Sequence, residues 1–409
     1  MPPHRQQRKF SELSCVTARD GSVVKRGTIV RVDTAAGRRV ALVRRLFTRD
    51  WDRPHDRGQA HVHQGYTLGN TSRALGHPLN TEVFTVLKEV EHVKPDVCLI
   101  ENVPGIATPF PCGTNVLEQV VQRLLSLGYQ VRLGQLNSRN YGSPQNRHRI
   151  FILAVRSGLP LPAWPAPTHA HGRRKLNLSL GGEPIVLGGN SGADTTRALR
   201  PAVTARDAIG DFPEWDYSVL DDRAPNTAAR GFDFGDRVGL SDGTPYRCRP
   251  KTSYQRAARG GERGEETGVK DHVTQIPAGS CLDLVFSAPK ANEPYIGPGN
   301  ILRCNPHRAV PTIQSNPFPG RNSTLTIHWM SHRVLSVAER RRIQGLPDSY
   351  ILRGPVKEKD RMLGNMVDVH VADALAAHIK REVFAPSWLA WGRPARDEFW
   401  RMWRAAHPV

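Results

Sequence analysis

Between residues 81 and 155 the hydrophobic pattern changes period repeatedly, and this constrains the fold more than any other feature of the chain. Val83, Val86, Leu87 and Val90 recur at helical spacing and predict a helix over 81–93. Lys94-Pro95 stops it, because proline disfavours helical backbone in the residue before it. Val97-Cys98-Leu99-Ile100 is a short apolar run of the kind that forms a buried strand. Leu117 to Leu127 predicts a second amphipathic helix, ended by Gly128, and Tyr129–Leu133 and Ile150–Val155 predict further strands. Strands alternating with helices predict an α/β domain with a mostly parallel sheet.

The flanks have a different texture. Residues 1–57 are basic and short of core residues, with two strand-like runs, Gly27–Val32 and Arg39–Phe47, on either side of the turn-prone Thr34-Ala35-Ala36-Gly37. That arrangement predicts a β-hairpin. Residues 159–320 are rich in Pro, Gly, Arg and Ser and weakly periodic, although Trp164, Trp215, Tyr254 and Tyr295 argue against complete disorder. Periodicity returns near Leu325. Ser336-Val337-Ala338-Glu339 is a capping-box pattern opening a helix that ends at Gly345, and a last amphipathic helix is predicted from about Val367 to Val383. Trp388, Trp391, Trp400 and Trp403 mark the tail after Pro386.

Composition narrows the partners. The chain carries 57 Lys+Arg against 38 Asp+Glu, a formal charge of +19. Such a balance favours a polyanion, because neutralising phosphates releases counterions. No run of about 18 apolar residues is present to predict a membrane span. Met1 to Phe10 lacks the apolar stretch of a secretory signal. The six cysteines form no C-x-x-C pair, which argues against a zinc module, and no metal is expected.

Four motifs carry chemistry. Glu101-Asn102-Val103-Pro104-Gly105 follows the apolar run at 97–100, which puts a carboxylate at the end of a strand, where parallel sheets bind ligands. Taken alone, it reads more readily as a loop carboxylate capping a neighbour. Residues 136–153 place a turn, Tyr141-Gly142-Ser143-Pro144, before Gln145-Asn146-Arg147-His148-Arg149 and an apolar strand. Two arginines two apart on a strand point to the same side. Taken alone, that is a basic strand edge. Residues 332–348 (HRVLSVAERRRIQGLPD) and Gly364-Asn365-Met366-Val367 would each pass as an ordinary helix terminus.

Together and in this order, the four resemble the cytosine-5 DNA methyltransferases. That family has Glu-Asn-Val, then Q-x-R-x-R, a variable target-recognition region, R-x-L-(S/T)-x-x-E-x-x-R-x-Q-G-(F/L)-P-D, and G-N-x-V. The resemblance covers about residues 62–158 and 305–385. It implies an incomplete Rossmann-like, S-adenosylmethionine-dependent methyltransferase domain of α/β class with an inserted target-recognition region. The implied divisions are a basic segment at 1–57, faintly similar to the end of a bromo-adjacent homology domain, catalytic parts at 58–158 and 319–385, a target-recognition region at 159–318, and a tail at 386–409. The resemblance also implies DNA as partner, a nuclear location, and a cytosine flipped out of the duplex.

It further implies residue roles. Glu101 would stabilise charge at cytosine N3, and Arg149 would donate to O2. Arg147 would order the site or contact phosphate, Asn102 would hold the local turn, and Gln145 would support it. Asn365 and Val367 would lie near the cofactor. Arg256, Arg259 and Arg263 of the inserted region would touch phosphates.

The sequence departs from the family in two places. No Phe-x-Gly-x-Gly loop precedes Glu101. The nucleophile motif Pro-Cys-Gln-(Gly/Ser)-(Phe/Tyr)-(Ser/Thr) is matched by Val62-His63-Gln64-Gly65-Tyr66-Thr67, so His63 stands at the cysteine position and Gln64 beside it. An imidazole can act as a nucleophile, but its bulk and reach differ from a thiolate's. Cys112 follows Glu101 rather than preceding it and is read as a decoy. The expectation is loss of a segment between about Pro54 and Gln64, with poor cofactor binding as the result. The alternative to an active enzyme is an inactive DNA-binding or regulatory homologue.

Overall fold

The computed structural model describes residues 78–110, 113–170, 199–217, 237–260, 268–277, 301–317 and 325–384. It also gives positions 285 and 288 and the strands at 15–17, 23–25, 30–33, 39–43, 175–180, 183–188 and 295–297.

Strands β1 (Cys15–Thr17) and β2 (Val23–Lys25) form a hairpin. Strands β3 (Val30–Asp33) and β4 (Arg39–Val43) form a second antiparallel pair, with Asp33 opposite Arg39; the predicted turn at 34–37 lies outside the described residues. β4 then pairs in parallel with β5 (Val97–Asn102), so the sheet runs across the division read at residue 57. The five-stranded sheet has the order β3-β4-β5-β8-β6, where β6 is Tyr129–Asn137 and β8 is His148–Arg156.

The α/β class holds, but the strand directions correct the expectation of a mostly parallel sheet. β8 is antiparallel to both β5 and β6. The chain between β6 and β8 is the reason. It holds one 3-10 turn (Ser138–Tyr141) and the short β7 (Gln145–Asn146). A parallel crossover needs a dozen or more residues.

Period-two alternation along β5 sorts its side chains to two layers. Cys98 and Ile100 pack with Val83, Val86, Leu87 and Val90 of α1 (Pro78–Val93) and with Val116, Leu117, Val120 and Leu124 of α2 (Val116–Ser126). Val97 and Leu99 face the other way, against Val371, Leu375 and Ile379 of the last α-helix. α1 ends as predicted: Lys94 leaves the helix at φ +49° ahead of Pro95. The Asn115 side chain caps α2, and Gly128 follows it at φ +83°.

The described parts of residues 159–327 are short pieces. These are a hairpin of β9 (Lys175–Leu180) and β10 (Glu183–Gly188), α3 (Ala205–Ile209), an antiparallel pair of β11 (Arg237–Gly239) and β12 (Val273–Gln275), and α4 (Ser253–Ala258). β13 (Tyr295–Gly297), β14 (Ile301–Arg303) and β16 (Leu325–Ile327) form a three-stranded sheet, and β15 (Val310–Pro311) pairs with β7. The C-terminal part supplies α5 (Val337–Ile343), α6 (Val356–Asn365) and α7 (Val369–Ile379).

Residues toward both ends of this 159–327 stretch share cores with the sheet and the C-terminal helices. Leu159, Leu161 and Trp164 join the core beneath α7, and the Trp164 indole donates to Leu133 O at 3.0 Å. Its ring lies where a Cβ on Gly134 would stand, so a side chain there would displace it. Ala205, Ile209, Phe212, Val310 and Ile313 share one core with Leu335, Val337, Ile343 and Leu363.

Candidate active site

Glu101 lies on the α7 face of the sheet, two residues beyond Leu99 at the end of β5. It is only 5% exposed. The Nε of Arg149, from the start of β8, is 2.9 Å from Glu101 Oε1. That contact is an ion pair; both carboxylate oxygens are buried and neither has a hydrogen-bond partner among the described residues. Asn102 accepts the Val103 N–H at 2.8 Å and so fixes the turn into the one-turn 3-10 helix Pro104–Ala107. A buried carboxylate with an open acceptor, held beside a guanidinium, can meet a planar polar ligand from two sides.

Arg147, two residues before Arg149, is buried and spans the fold. It donates to Ile313 O at 3.1 Å, Gly364 O at 3.0 Å and Met366 O at 2.9 Å. Of the two readings from sequence, ordering the site fits this geometry; every one of these acceptors is a backbone carbonyl inside the protein. Gln145 is fully buried. Its Nε2 donates to Gln344 Oε1 at 2.7 Å and to Asp368 Oδ2 at 2.8 Å, and its Oε1 accepts the Ile313 N–H at 3.2 Å.

The segment around α5 explains its own density of charge. Ser336 and Glu339 form the predicted capping box, and Arg333 clasps Glu339 with two bonds of 2.8 Å. The three consecutive arginines that follow are all buried and directed to different partners. Arg340 pairs with Asp360, Arg341 donates to Tyr350 O and Lys270 O, and Arg342 pairs with Asp211 and Asp348. Gly345 closes the helix at φ +84°.

Asn365 ends α6, and its buried Oδ1 has no hydrogen-bond partner among the described residues. Val367 packs beside the α7 core. Gly364 is required by a close approach. A Cβ there would overlap the backbone of Gln314 and Ser315. Gly364→Ala is therefore expected to lower stability by about 1–3 kcal/mol, the usual cost of overpacking, as measured by urea unfolding.

Residues 64–381 match the profile of the C-5 cytosine-specific DNA methylases. The chain belongs to this family. Among curated relatives, DNA (cytosine-5)-methyltransferase 1B of Oryza sativa subsp. japonica is 28% identical over 320 residues, covering 74% of this chain and 20% of that protein. DNA (cytosine-5)-methyltransferase 2 of Zea mays is 28% identical over 381 residues, covering 76% of this chain and 38% of the maize protein. The chain thus spans about a fifth of the rice relative and under two fifths of the maize one. Among solved structures, the S. pombe Dnmt2 methyltransferase is 15% identical, with a TM-score of 0.41, over 74% of this chain and 73% of that one.

The family's methyl donor is S-adenosylmethionine. The Asn365 Oδ1, without a hydrogen-bond partner among the described residues, suits a donor group on a ligand. The nucleophile candidate His63 and its neighbour Gln64 lie outside the described residues, as do Arg263 and Cys112. Cys98 and Cys304 are buried. Burial pushes both thiols up to about 12, so neither supplies a thiolate at neutral pH.

Arg256 is exposed, as a phosphate contact must be. Arg259 is a correction. It is 5% exposed, its Nε donates to Asp211 at 2.9 Å, and its guanidinium lies 3.6 Å from the Tyr246 ring centroid. Its charge is neutralised inside the fold. Among the described residues there is no cluster suited to a metal and no helix long and apolar enough to cross a membrane. Ser143, Gln344 and Asp368 escaped the sequence reading. Gln344 stands inside a matched motif, whereas Ser143 and Asp368 carry no local signal.

Proposed function

We propose that the chain is a DNA (cytosine-5-)-methyltransferase that receives a flipped cytosine at the Glu101–Arg149 pair. The observation that carries this reading is the buried carboxylate of Glu101, paired to Arg149 at 2.9 Å and still holding an open acceptor. Cytosine C5 is a poor nucleophile until a group adds at C6. Addition sends negative charge to N3 and O2; the Glu101 carboxyl meets N3 through a proton held between them, and the Arg149 guanidinium donates to O2. Arg147 keeps Arg149 and the Asn365 turn in fixed relation, since it bonds to the carbonyls on both sides of Asn365. Asn365 and Val367 hold the cofactor, which supplies an electrophilic methyl group when bound. Exposed Arg256 contacts phosphate, and a DNA substrate places the protein in the nucleus.

The group that adds at C6 is assigned to position 63. Histidine there favours a second reading, a DNA-binding homologue without turnover. Measuring 5-methyl-2′-deoxycytidine formed in duplex DNA separates the two. The enzyme reading expects a measurable product that rises at least tenfold in His63→Cys, on the order expected of a better nucleophile. DNA binding with no product from either chain would establish the second reading. Arg149→Ala is expected to lower turnover more than DNA affinity, because its partner is the extruded base. A loss confined to affinity would count against that role.

A further inference from the structure

Asp368 is buried, and its carboxylate is used at both oxygens. Oδ1 accepts the His370 N–H at 3.0 Å and so caps α7, and it also lies 3.1 Å from His370 Nδ1. Oδ2 points away from the helix, accepting from Ser143 Oγ at 2.5 Å and from Gln145 Nε2 at 2.8 Å. A helix cap requires only the first set. The second set joins residues 225 positions apart in sequence, and Ser143 and Gln145 are both fully buried. Arg147 makes a matching link a few residues on, to Gly364 O and Met366 O. Segments 143–147 and 364–368 are therefore cross-linked twice, running in opposite directions. Arg149 follows directly from the first segment, and Asn365 sits inside the second.

We propose that Asp368 is a positioning residue. Through Ser143 and Gln145 it sets the register of the strand that presents Arg149 to Glu101, and with Arg147 it fixes that pair relative to Asn365. The consequence for catalysis rests on the reading of Glu101 and Arg149 given above; the positioning itself does not. An unsatisfied buried acceptor or donor is costly, so loss of either link loosens the strand instead of leaving it in place.

The test is the Nε–H signal of Arg149 in the NMR spectrum of the full chain labelled with ¹⁵N-arginine, assigned by its disappearance in Arg149→Lys. Asp368→Asn keeps a cap oxygen for His370 but places an amide against two donors. Ser143→Ala leaves the cap untouched and removes one Oδ2 link. Both are expected to shift or broaden the Arg149 signal, while the Nε–H of Arg259, bonded to Asp211, stays in place. If Asp368→Asn does not fold, Ser143→Ala decides alone. An unchanged Arg149 signal in folded Ser143→Ala would overturn the proposal and leave Asp368 as a helix cap. The readout needs neither DNA nor methyl transfer, so failure of the enzymatic reading leaves it interpretable.

Discussion

Glu101→Gln, made in a chain with a thiolate restored by His63→Cys, lowers methyl transfer to duplex DNA by roughly 10²–10³-fold, the cost of removing one preorganised charge-stabilising group. The amide is nearly isosteric, so packing at the end of β5 is kept. What changes is the charge. Arg149 loses the carboxylate 2.9 Å from its Nε, and an amide cannot transfer a proton to cytosine N3, where addition at C6 sends negative charge. DNA affinity, supplied largely by phosphate contacts, changes little by comparison. The check is initial rates of labelled methyl incorporation with both variants saturated in DNA. Undiminished turnover would remove Glu101 from the chemistry.

Acid destabilises the fold, and two buried histidines are the main reason. Burial lowers His272 to about 4, with Arg333 acting in the same direction, and lowers His328 to about 3. His272 sits between Ser336 Oγ at 2.7 Å and Pro213 O at 2.8 Å; the bond to Pro213 O favours its charged form, and burial outweighs it. An unfolded chain binds protons at these positions below pH about 6.5, whereas the folded one does so only near pH 3–4. Stability is therefore fully present above pH about 6.5 and falls by several kcal/mol as the pH drops toward 4, because each tenfold difference in proton affinity between the two states is worth about 1.4 kcal/mol. Glu339 acts at still lower pH. Burial alone would raise it, but Arg333 holds it well below the usual carboxylate range, so its contribution is lost last. Urea unfolding at pH 7.5 and pH 5 checks this. Equal stabilities at the two values would show that the histidines are not buried neutral, and His328→Gln is expected to flatten part of the slope.

Much of the scaffold was legible because it is local. The spacing of Val83, Val86, Leu87 and Val90 placed α1, the Ser336–Glu339 box placed α5, and the apolar run at 97–100 placed β5. Strand direction was not legible. Hydrophobic pattern says nothing about polarity, and only the short link from β6 to β8 betrays the antiparallel arrangement. Arg259 misled for a related reason. An arginine in a polar stretch reads as exposed, and its burial depends on Asp211, 48 residues away. The site divided the same way. Glu101, Arg149 and Arg147 stood in motifs, but the hydrogen bonds from Ser143 and Gln145 to Asp368 exist only after the chain has closed on itself. The glycine of the last motif was visible, whereas its cause, the backbone of Gln314 and Ser315 lying against it, was not.

The claim that the Glu101–Arg149 pair reads cytosine is tested most directly by binding, without any chemistry. A short duplex with one cytosine opposite an abasic site offers a base that is cheap to extrude, and the same duplex with thymine there is the comparison. The account predicts that the chain binds the cytosine duplex roughly tenfold or more tightly, the scale of one or two charged hydrogen bonds, and that Glu101→Gln loses the difference. Equal affinity for the two duplexes in the unmodified chain would contradict it.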